Sequence, residues 1–286
     1  MIDNALLSAR DVVVEFPRKG FRSPPFRALN EVSIDIRAGE TLGLVGESGS
    51  GKTTLGRAIL GLVPAASGSI EFAGTDLTRL DRRRRRSLSN DIQVVFQDPY
   101  TSLNPALPVG DILSEPLLVR PDSRRGARER VRDLLDDVGL PSDAADRYPR
   151  EFSGGQRQRI AIARALALSP RLIICDEPVS ALDLSTQARI LDLFIEIQER
   201  TGVAYLFVSH DLSVVRNISH RVAVMYGGEI VEQGDGDKVT SAPEHPYTQR
   251  LLLSAPVADP RRQAVRRRER LAVLAQDPGT ARTTMA

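Results

Sequence analysis

Residues 42–60 of this 286-residue chain read LGLVGESGSGKTTLGRAIL, with glycines and serines between two apolar segments. The first apolar segment predicts a short strand. The helical spacing of Leu55, Ile59 and Leu62 predicts a helix after the glycines. Residues 46–53 match the pattern G-x-x-x-x-G-K-[ST]. In the order strand, loop, helix, this pattern is typical of a site that binds phosphate groups.

The chemistry of this loop follows from its residue types. Glycines let backbone N–H groups turn inward around an anion, and the next helix adds its own free N–H groups. Lys52 would reach the β- and γ-phosphates of a nucleotide, and the Thr53 hydroxyl would bind Mg²⁺. The alternative is a flexible turn rich in glycine and serine. The predicted nucleotide site comprises Gly46, Glu47, Ser48, Gly49, Ser50, Gly51, Lys52, Thr53 and Thr54.

A second candidate site follows the apolar segment LIIC, which predicts a buried strand. Asp176 and Glu177 come directly after it, and ligands of open α/β sheets bind at the carboxyl ends of the strands. Asp176 suits the shell of Mg²⁺, through a water. Glu177 could orient and deprotonate an attacking water. The alternative is that both carboxylates are helix-capping acids.

A third candidate site lies in residues 152–166, FSGGQRQRIAIARAL. Ser153 and Gln156 have the spacing of a capping box, which predicts a helix with an exposed amino terminus. Gly154 and Gly155 leave room for a phosphate to approach the N–H groups of that terminus. An ordinary capped helix is the alternative, because capping boxes are common.

Composition and patterning indicate the fold class. Strands alternate with helices, which is typical of a mainly parallel sheet covered by helices. The segment RVAVMYGGEIVEQG predicts a hairpin that turns at Gly227–Gly228. The net charge of +2 indicates no bulk affinity for nucleic acid, and the single cysteine, Cys175, excludes an intramolecular disulfide. We expect a soluble cytoplasmic protein, because neither a secretory signal nor a membrane-spanning apolar segment is evident.

Six motifs occur in one order, and with them the chain resembles the ATP-binding subunits of ABC transporters over about residues 5–256. They are the Walker A loop GESGSGKT, a Q-loop at Gln97 in VVFQDPYTSLNP, the signature SGGQ, the Walker B strand LIICDE, a D-loop SALD and a switch histidine in VSHDL. That histidine, His210, follows the apolar segment AYLFVS, so it lies on the same rim as Glu177. Without this context a lone histidine is more often a structural residue.

The resemblance implies the α/β P-loop NTPase fold of ABC ATPases. This fold has a mainly parallel sheet core, an N-terminal antiparallel β-subdomain and a helical subdomain. The implied organisation is an ATPase domain at residues 1–256, with its helical subdomain at about 98–165, and an arginine-rich tail at residues 257–286. The tail has no cysteine, so the iron–sulfur cluster of some relatives is not expected here.

The resemblance also implies that two nucleotide domains close head to tail on two ATP molecules. The signature residues Ser153, Gly154, Gly155 and Gln156 would then bind the ATP held by the partner domain. Asp183, in the D-loop, would lie at the seam between the two domains.

The implied catalytic residues are Glu177, His210 and Gln97. His210 would contact the γ-phosphate, and Gln97 would contact both Mg²⁺ and the attacking water. Together with Gln97, the implied metal ligands are Thr53 and Asp176.

An aromatic side chain near the first strand would stack on adenine in such a protein. Phe16 matches this position, although Phe21 and Phe26 lie in an extra loop close by.

Longer segments, among them FQDPYTSLNP and HPYTQRLLLSAP, resemble the dipeptide and oligopeptide importer subunits, a group that includes nickel and glutathione importers. The resemblance implies an ATPase, using ATP and Mg²⁺, that powers import of a peptide or related small solute from the cytoplasmic face of the membrane. The implied partners are a second ATPase subunit that is a different but similar chain, two membrane-spanning permease subunits and an extracytoplasmic solute-binding protein, without nucleic acid.

Two other functions stay open on the sequence. One is a non-transport ABC ATPase that acts on nucleic acid or ribosomes, against which the single P-loop and the lack of sustained heptads argue. The other is a small-molecule P-loop kinase, against which the signature and the D-loop argue. The arginine runs Arg82–Arg86 and Arg266–Arg268 could contact nucleic acid or anionic lipid, or lie in solvent.

Overall fold

The computed structural model describes residues 5–18, 24–78, 80, 84, 88–98, 102–118 and 126–254. The predicted tail at 257–286, with Arg266–Arg268, lies outside the described residues. So do Phe21 and every member of the Arg82–Arg86 run except Arg84.

The strands of the described residues form two sheets. In chain order the strands are β1 Ala5–Phe16, β2 Phe26–Arg37, β3 Thr41–Val45, β4 Ser67–Phe72, β5 Thr75–Asp76, β6 Ile92–Val95, β7 Leu172–Asp176, β8 Ala204–Ser209, β9 Arg221–Tyr226 and β10 Glu229–Asp235.

The first sheet is antiparallel and has the strand order β2-β1-β4-β5. The second has the order β10-β9-β3-β8-β7-β6, and it is parallel except for β10, which pairs antiparallel with β9. These two sheets confirm the predicted α/β class with an N-terminal antiparallel part. The predicted hairpin is also confirmed, because Tyr226 pairs with Glu229 around Gly227 and Gly228, both at positive φ.

Helices cover the parallel sheet and form a separate helical segment between β6 and β7. In chain order they are α1 Lys52–Ile59, α2 Val109–Leu118, α3 Ala127–Asp137, α4 Gly154–Leu166, α5 Leu184–Thr201, α6 Leu212–Ile218, α7 Gly236–Ser241 and α8 Pro246–Ser254. Short 3₁₀ turns at Ser142–Asp146 and Pro149–Glu151 connect α3 to α4. Among the described residues, no helix is both long and apolar enough to cross a membrane.

The central strands position the functional edge of the molecule. Every residue of β3 and β8 is buried, as expected for parallel strands covered on both faces. The register pairs Val45 with Ser209 and Asp176 with Val208, so β3, β7 and β8 end at one edge. The loops that follow these strands therefore meet there.

Aromatic packing holds α5 against β8. The ring of Phe194 makes edge contacts with Tyr205 and Phe207 of β8, at centroid distances of 5.4 and 5.7 Å. The Tyr205 hydroxyl donates to the Phe194 carbonyl at 3.2 Å, so this buried polar group is satisfied. Each ring pair contributes about 0.5–1.5 kcal/mol beyond the burial of its area.

The helix after the glycine-rich loop is shorter than its apolar spacing predicts. It ends at Ile59, Gly61 has a φ of +68°, and Leu62 is 64% exposed. Only Leu55 and Ile59 of the three predicted apolar positions are buried. Glycine favours this left-handed conformation, which ends the helix before the third position.

Candidate nucleotide site

The glycine-rich loop connects β3 to α1. Some of its glycines have backbone conformations that other residues seldom adopt, and one lies too close to its neighbours to carry a side chain. Gly49 and Gly51 have φ values of +81° and +110°. A Cβ on Gly46 would lie 2.1 Å from the Met225 carbonyl oxygen. The loop therefore depends on glycine for its backbone shape and for its contact with β9.

The Lys52 ammonium lies under this loop. It donates to the carbonyl oxygens of Gly46 and Glu47, both at 2.7 Å. Burial lowers the pKa of Lys52, while the carboxylates of Glu177, Asp176 and Glu47 oppose that shift. Phosphate oxygens are the same kind of acceptor as these carbonyls and carry charge, so they can replace them as the partners of the ammonium.

Thr53 and Asp176 form the second contact of the site. The Thr53 hydroxyl donates to Oδ1 of Asp176 at 2.9 Å, which joins the start of α1 to the end of β7. Burial raises the pKa of the Asp176 carboxyl, and the neighbouring charge of Glu177 adds to the rise, while the Thr53 hydrogen bond opposes it. Two oxygen ligands of the kind that Mg²⁺ binds thus lie side by side.

Gln97, Glu177 and His210 meet at a single carboxylate oxygen. Oε2 of Glu177 lies 3.3 Å from Nε2 of Gln97, which donates to it, and 3.1 Å from Nδ1 of His210. The Glu177 side chain is 18% exposed and that of His210 is 55% exposed. The three predicted catalytic residues, from three different loops, therefore meet at one carboxylate oxygen.

Glu177 has an unusual backbone conformation. Its φ is +50°, in the left-handed region that residues with a side chain seldom adopt. Its N–H donates to the Val208 carbonyl oxygen at 3.0 Å, a contact to β8 that holds this conformation. Such a conformation costs of the order of 1–3 kcal/mol and is frequent at functional sites.

Nucleotide phosphates and Mg²⁺ fit the residues at this edge. The Ser50 hydroxyl oxygen is buried without a hydrogen-bond partner among the described residues. The position of a Cβ on Gly49 is open, with nothing within 4 Å. No group of three His, Cys, Asp or Glu side chains among the described residues could hold a metal. A magnesium ion here would therefore take further ligands from phosphate and water, which is its usual preference.

Ser153 caps α4 as its spacing predicts. The Gln156 N–H donates to the Ser153 hydroxyl at 3.4 Å, and the Ser153 N–H donates to the Gln156 side chain at 3.0 Å. A Cβ on Gly155 would lie 2.4 Å from the Thr186 methyl. Close packing against α5 therefore requires glycine at this position, whether or not a phosphate also has to reach the N–H groups of α4.

Asp183 caps α5. Its carboxylate accepts hydrogen bonds from both the backbone and the hydroxyl of Ser185 and Thr186, at 2.6–3.1 Å. The hydrogen bonds from these two side chains hold the pKa of Asp183 well below its usual range. Because Thr186 also contacts Gly155, the D-loop and the signature are packed against each other within one chain.

The structure does not bring all the predicted site residues together. In the described part of the chain, no hydrogen bond or ion pair joins Ser153–Gln156 to the glycine-rich loop. Phe16 ends β1, pairs with Phe26 of β2 and is 39% exposed, so its ring is available at the surface.

The profile of the ABC transporter family matches residues 29–180 of this chain. The chain belongs to the ABC transporter family. A second profile, the oligopeptide/dipeptide transporter C-terminal region, matches residues 231–279 of this chain, hereafter called the cassette.

Curated relatives of the cassette carry importer names. The oligopeptide transport ATP-binding protein OppD of Mycobacterium tuberculosis is 55% identical over 237 residues, which cover 83% of the cassette and 39% of that protein. The glutathione import ATP-binding protein GsiA of Pectobacterium atrosepticum is 50% identical over 282 residues, covering 97% and 45%. The chain thus spans less than half the length of these relatives.

Solved structures of ABC proteins share the fold. The structure of cbiO1 from Clostridium perfringens, described as part of the ABC transporter complex cbiONQ, has a TM-score of 0.74 and 25% identity. The matched region covers 96% of the cassette and 100% of the cbiO1 chain. A dimeric structure of the cassette MJ0796 with ADP and Pi has a TM-score of 0.70 and 28% identity, covering 80% and 98%.

Tyr247, which belongs to none of the six motifs, lies against the glycine-rich loop. Its hydroxyl accepts a hydrogen bond from the Glu47 N–H at 2.9 Å. The segment HPYT resembles the importer group. A tyrosine in a helical segment with apolar residues predicts burial of its ring, but it does not predict a hydrogen bond to Glu47, 200 residues earlier in the chain.

Proposed function

We propose that the cassette binds ATP with Mg²⁺ at this edge and hydrolyses it, and that hydrolysis powers an importer. The observation that carries the proposal is the meeting of Gln97, Glu177 and His210 at one carboxylate oxygen, on the sheet edge that also holds Lys52. A base, a cation and a loop that fits an anion are the groups that ATP hydrolysis needs.

Each side chain has a role that follows from its contacts. Lys52 would turn from its loop carbonyls to the β- and γ-phosphates. Thr53, Asp176 and Gln97 would hold Mg²⁺, which when bound offsets the charge on the phosphate oxygens. Glu177 would accept the proton of the attacking water. Gln97 would contact that water as well as Mg²⁺, and His210 would contact the γ-phosphate.

Adenine stacking on Phe16 is part of the same proposal, supported by the exposure of that ring. We also propose the division into an ATPase domain at residues 1–256, with its helical part at about 98–165, and a tail at 257–286. The helices α2, α3 and α4, within residues 109–166, support the helical part.

Import is supported by the importer names of the relatives and by the C-terminal profile match. We propose that the cassette works at the cytoplasmic face of the membrane with a second ATPase subunit, two permease subunits and a solute-binding protein. The cargo would be a peptide or a related small solute, such as glutathione. No observation favours the alternative function on nucleic acid or ribosomes.

Head-to-tail pairing can be tested with two tagged copies of this chain. We expect Ser153→Arg alone and Lys52→Ala alone to reduce ATP turnover strongly, because each damages both sites of a pair. A mixed pair, one copy with each change, should regain up to about half of the parent turnover. In that pair one intact loop faces one intact signature, whose N–H groups can stabilise phosphate across the seam.

The mixed pair is isolated through both tags and assayed for phosphate release. Parent copies with the same tags, mixed in the same way, give the reference rate. Turnover as low as that of either variant alone would show that the signature serves its own chain, and the head-to-tail proposal would fail.

Deletion of residues 261–286 should leave ATP affinity within about twofold of the parent. Every residue of the proposed site, and Tyr247 as well, lies before this segment. Fluorescent nucleotide titration of the truncated chain checks this, with thermal denaturation as the control for folding. A folded truncation that no longer binds ATP would show that the tail completes the site.

A further inference from the structure

The C-terminal helix α8 contacts the glycine-rich loop through one hydroxyl group. Tyr247 is 2% exposed, and its oxygen accepts the Glu47 N–H at 2.9 Å. Its ring packs on that of Tyr226, with centroids 4.3 Å apart. Tyr247 falls in the region that matches the C-terminal importer profile, so this region reaches the proposed nucleotide site.

Three hydrogen bonds hold the backbone of Glu47, and one of them is local, from the Ser50 N–H to the Glu47 carbonyl oxygen at 3.2 Å. The Glu47 N–H donates to Tyr247, and the Glu47 carbonyl oxygen also accepts the Lys52 ammonium at 2.7 Å. The same ammonium also bonds the Gly46 carbonyl. If Lys52 turned to phosphate oxygens it would give up both carbonyls, whereas the bonds of Glu47 to Tyr247 and Ser50 do not involve the ammonium.

Hydrogen bonds to β10 hold the segment that leads into Tyr247. The carboxylate of Glu232, on β10, accepts the N–H groups of Glu244 and His245 at 2.8 and 3.1 Å. Nδ1 of His245 accepts the Tyr247 N–H at 3.2 Å. The start of α8 is thereby fixed to the sheet, so the Tyr247 hydroxyl is presented at a defined position.

We propose that Tyr247 is a positioning residue that keeps the first peptide groups of the loop in their phosphate-binding shape after Lys52 has left them. The C-terminal region is then part of the nucleotide site, although it carries none of the six motifs. This inference rests on the proposed binding of ATP. It extends that proposal, because it makes ATP affinity depend on a residue that touches neither phosphate nor metal.

The test is Tyr247→Phe, which removes the hydroxyl and keeps the ring and its stacking. The Glu47 N–H would lose its partner, so ATP binding would have to order a loop that is less well held. One hydrogen bond of this kind corresponds to about tenfold in an equilibrium constant. We expect the Kd and the KM for ATP to rise about tenfold while kcat stays within about twofold. Amide hydrogen exchange at residues 46–48 of the nucleotide-free protein should become faster.

The matched control is Tyr226→Phe, which removes the hydroxyl from the other ring of the pair. That hydroxyl makes no hydrogen bond to the loop among the described residues, so affinity and exchange should match the parent. Thermal denaturation of both variants checks folding.

Two outcomes would overturn the inference. One is an unchanged KM and unchanged exchange in Tyr247→Phe, and the other is an equal rise in KM from Tyr226→Phe, which would indicate packing alone. The exchange measurement needs no nucleotide, so it tests the Tyr247 contact separately. A parent protein without measurable ATP binding would instead count against the proposed function.

Discussion

Glu177→Gln should lower the rate of ATP hydrolysis by roughly 10²–10⁴-fold, the usual contribution of a general base. The amide has nearly the same shape as the carboxylate, but it cannot take a proton from water. ATP binding should persist, because Lys52 and the loop are unchanged. Single-turnover hydrolysis measures the first effect, and nucleotide titration measures the second.

A pair of cassettes closed on ATP should also accumulate in this variant, because the hydrolysis that would let the two cassettes separate is slow. Light scattering with and without ATP would detect it. Glu199→Gln is the matched control, because it makes the same chemical change on an exposed position of α5. If Glu177→Gln hydrolyses ATP at the parent rate, Glu177 is not the base.

Lys52→Ala should weaken ATP binding by at least about 100-fold and abolish turnover. The change removes the cation that would face the phosphates, and charge-assisted hydrogen bonds are roughly twice as strong as neutral ones. It also removes both 2.7 Å hydrogen bonds that hold the carbonyls of Gly46 and Glu47, so the empty loop loses order as well. Nucleotide titration and steady-state turnover measure these effects.

Lys238→Ala is the control for the loss of a lysine. Lys238 forms a surface ion pair with Glu244 at 2.7 Å, with both side chains largely exposed, and exposed pairs contribute little. Its ATP affinity should equal that of the parent. Parent affinity and turnover in Lys52→Ala would contradict the assignment of the glycine-rich loop to nucleotide binding.

Local sequence was enough to predict the glycine-rich loop and the capped start of α4. In each, the determining interactions lie within a few residues: glycines at positive φ before a helix, and Ser153 bonded to Gln156. The order of strands and helices also predicted the parallel sheet. The roles given to Phe16, Asp183 and the signature toward a partner remain predictions.

Tertiary structure decided how the separate motifs meet. Gln97, Glu177 and His210 share one oxygen because β6, β7 and β8 run parallel in register and end at the same edge. The sequence predicted that Glu177 and His210 lie on one rim of the sheet. It did not predict that His210 and Gln97 contact the same oxygen of Glu177, a residue in the left-handed conformation.

Two further requirements came only from packing between distant segments. The need for glycine at position 155 is set by Thr186, on another helix. The partner of the Glu47 N–H is a hydroxyl 200 residues later, and Glu232 holds the segment that leads into that tyrosine. The residue types that bind phosphate were therefore determined by sequence. The contacts that hold them in place were decided by the fold, because they depend on which surfaces the chain brings together.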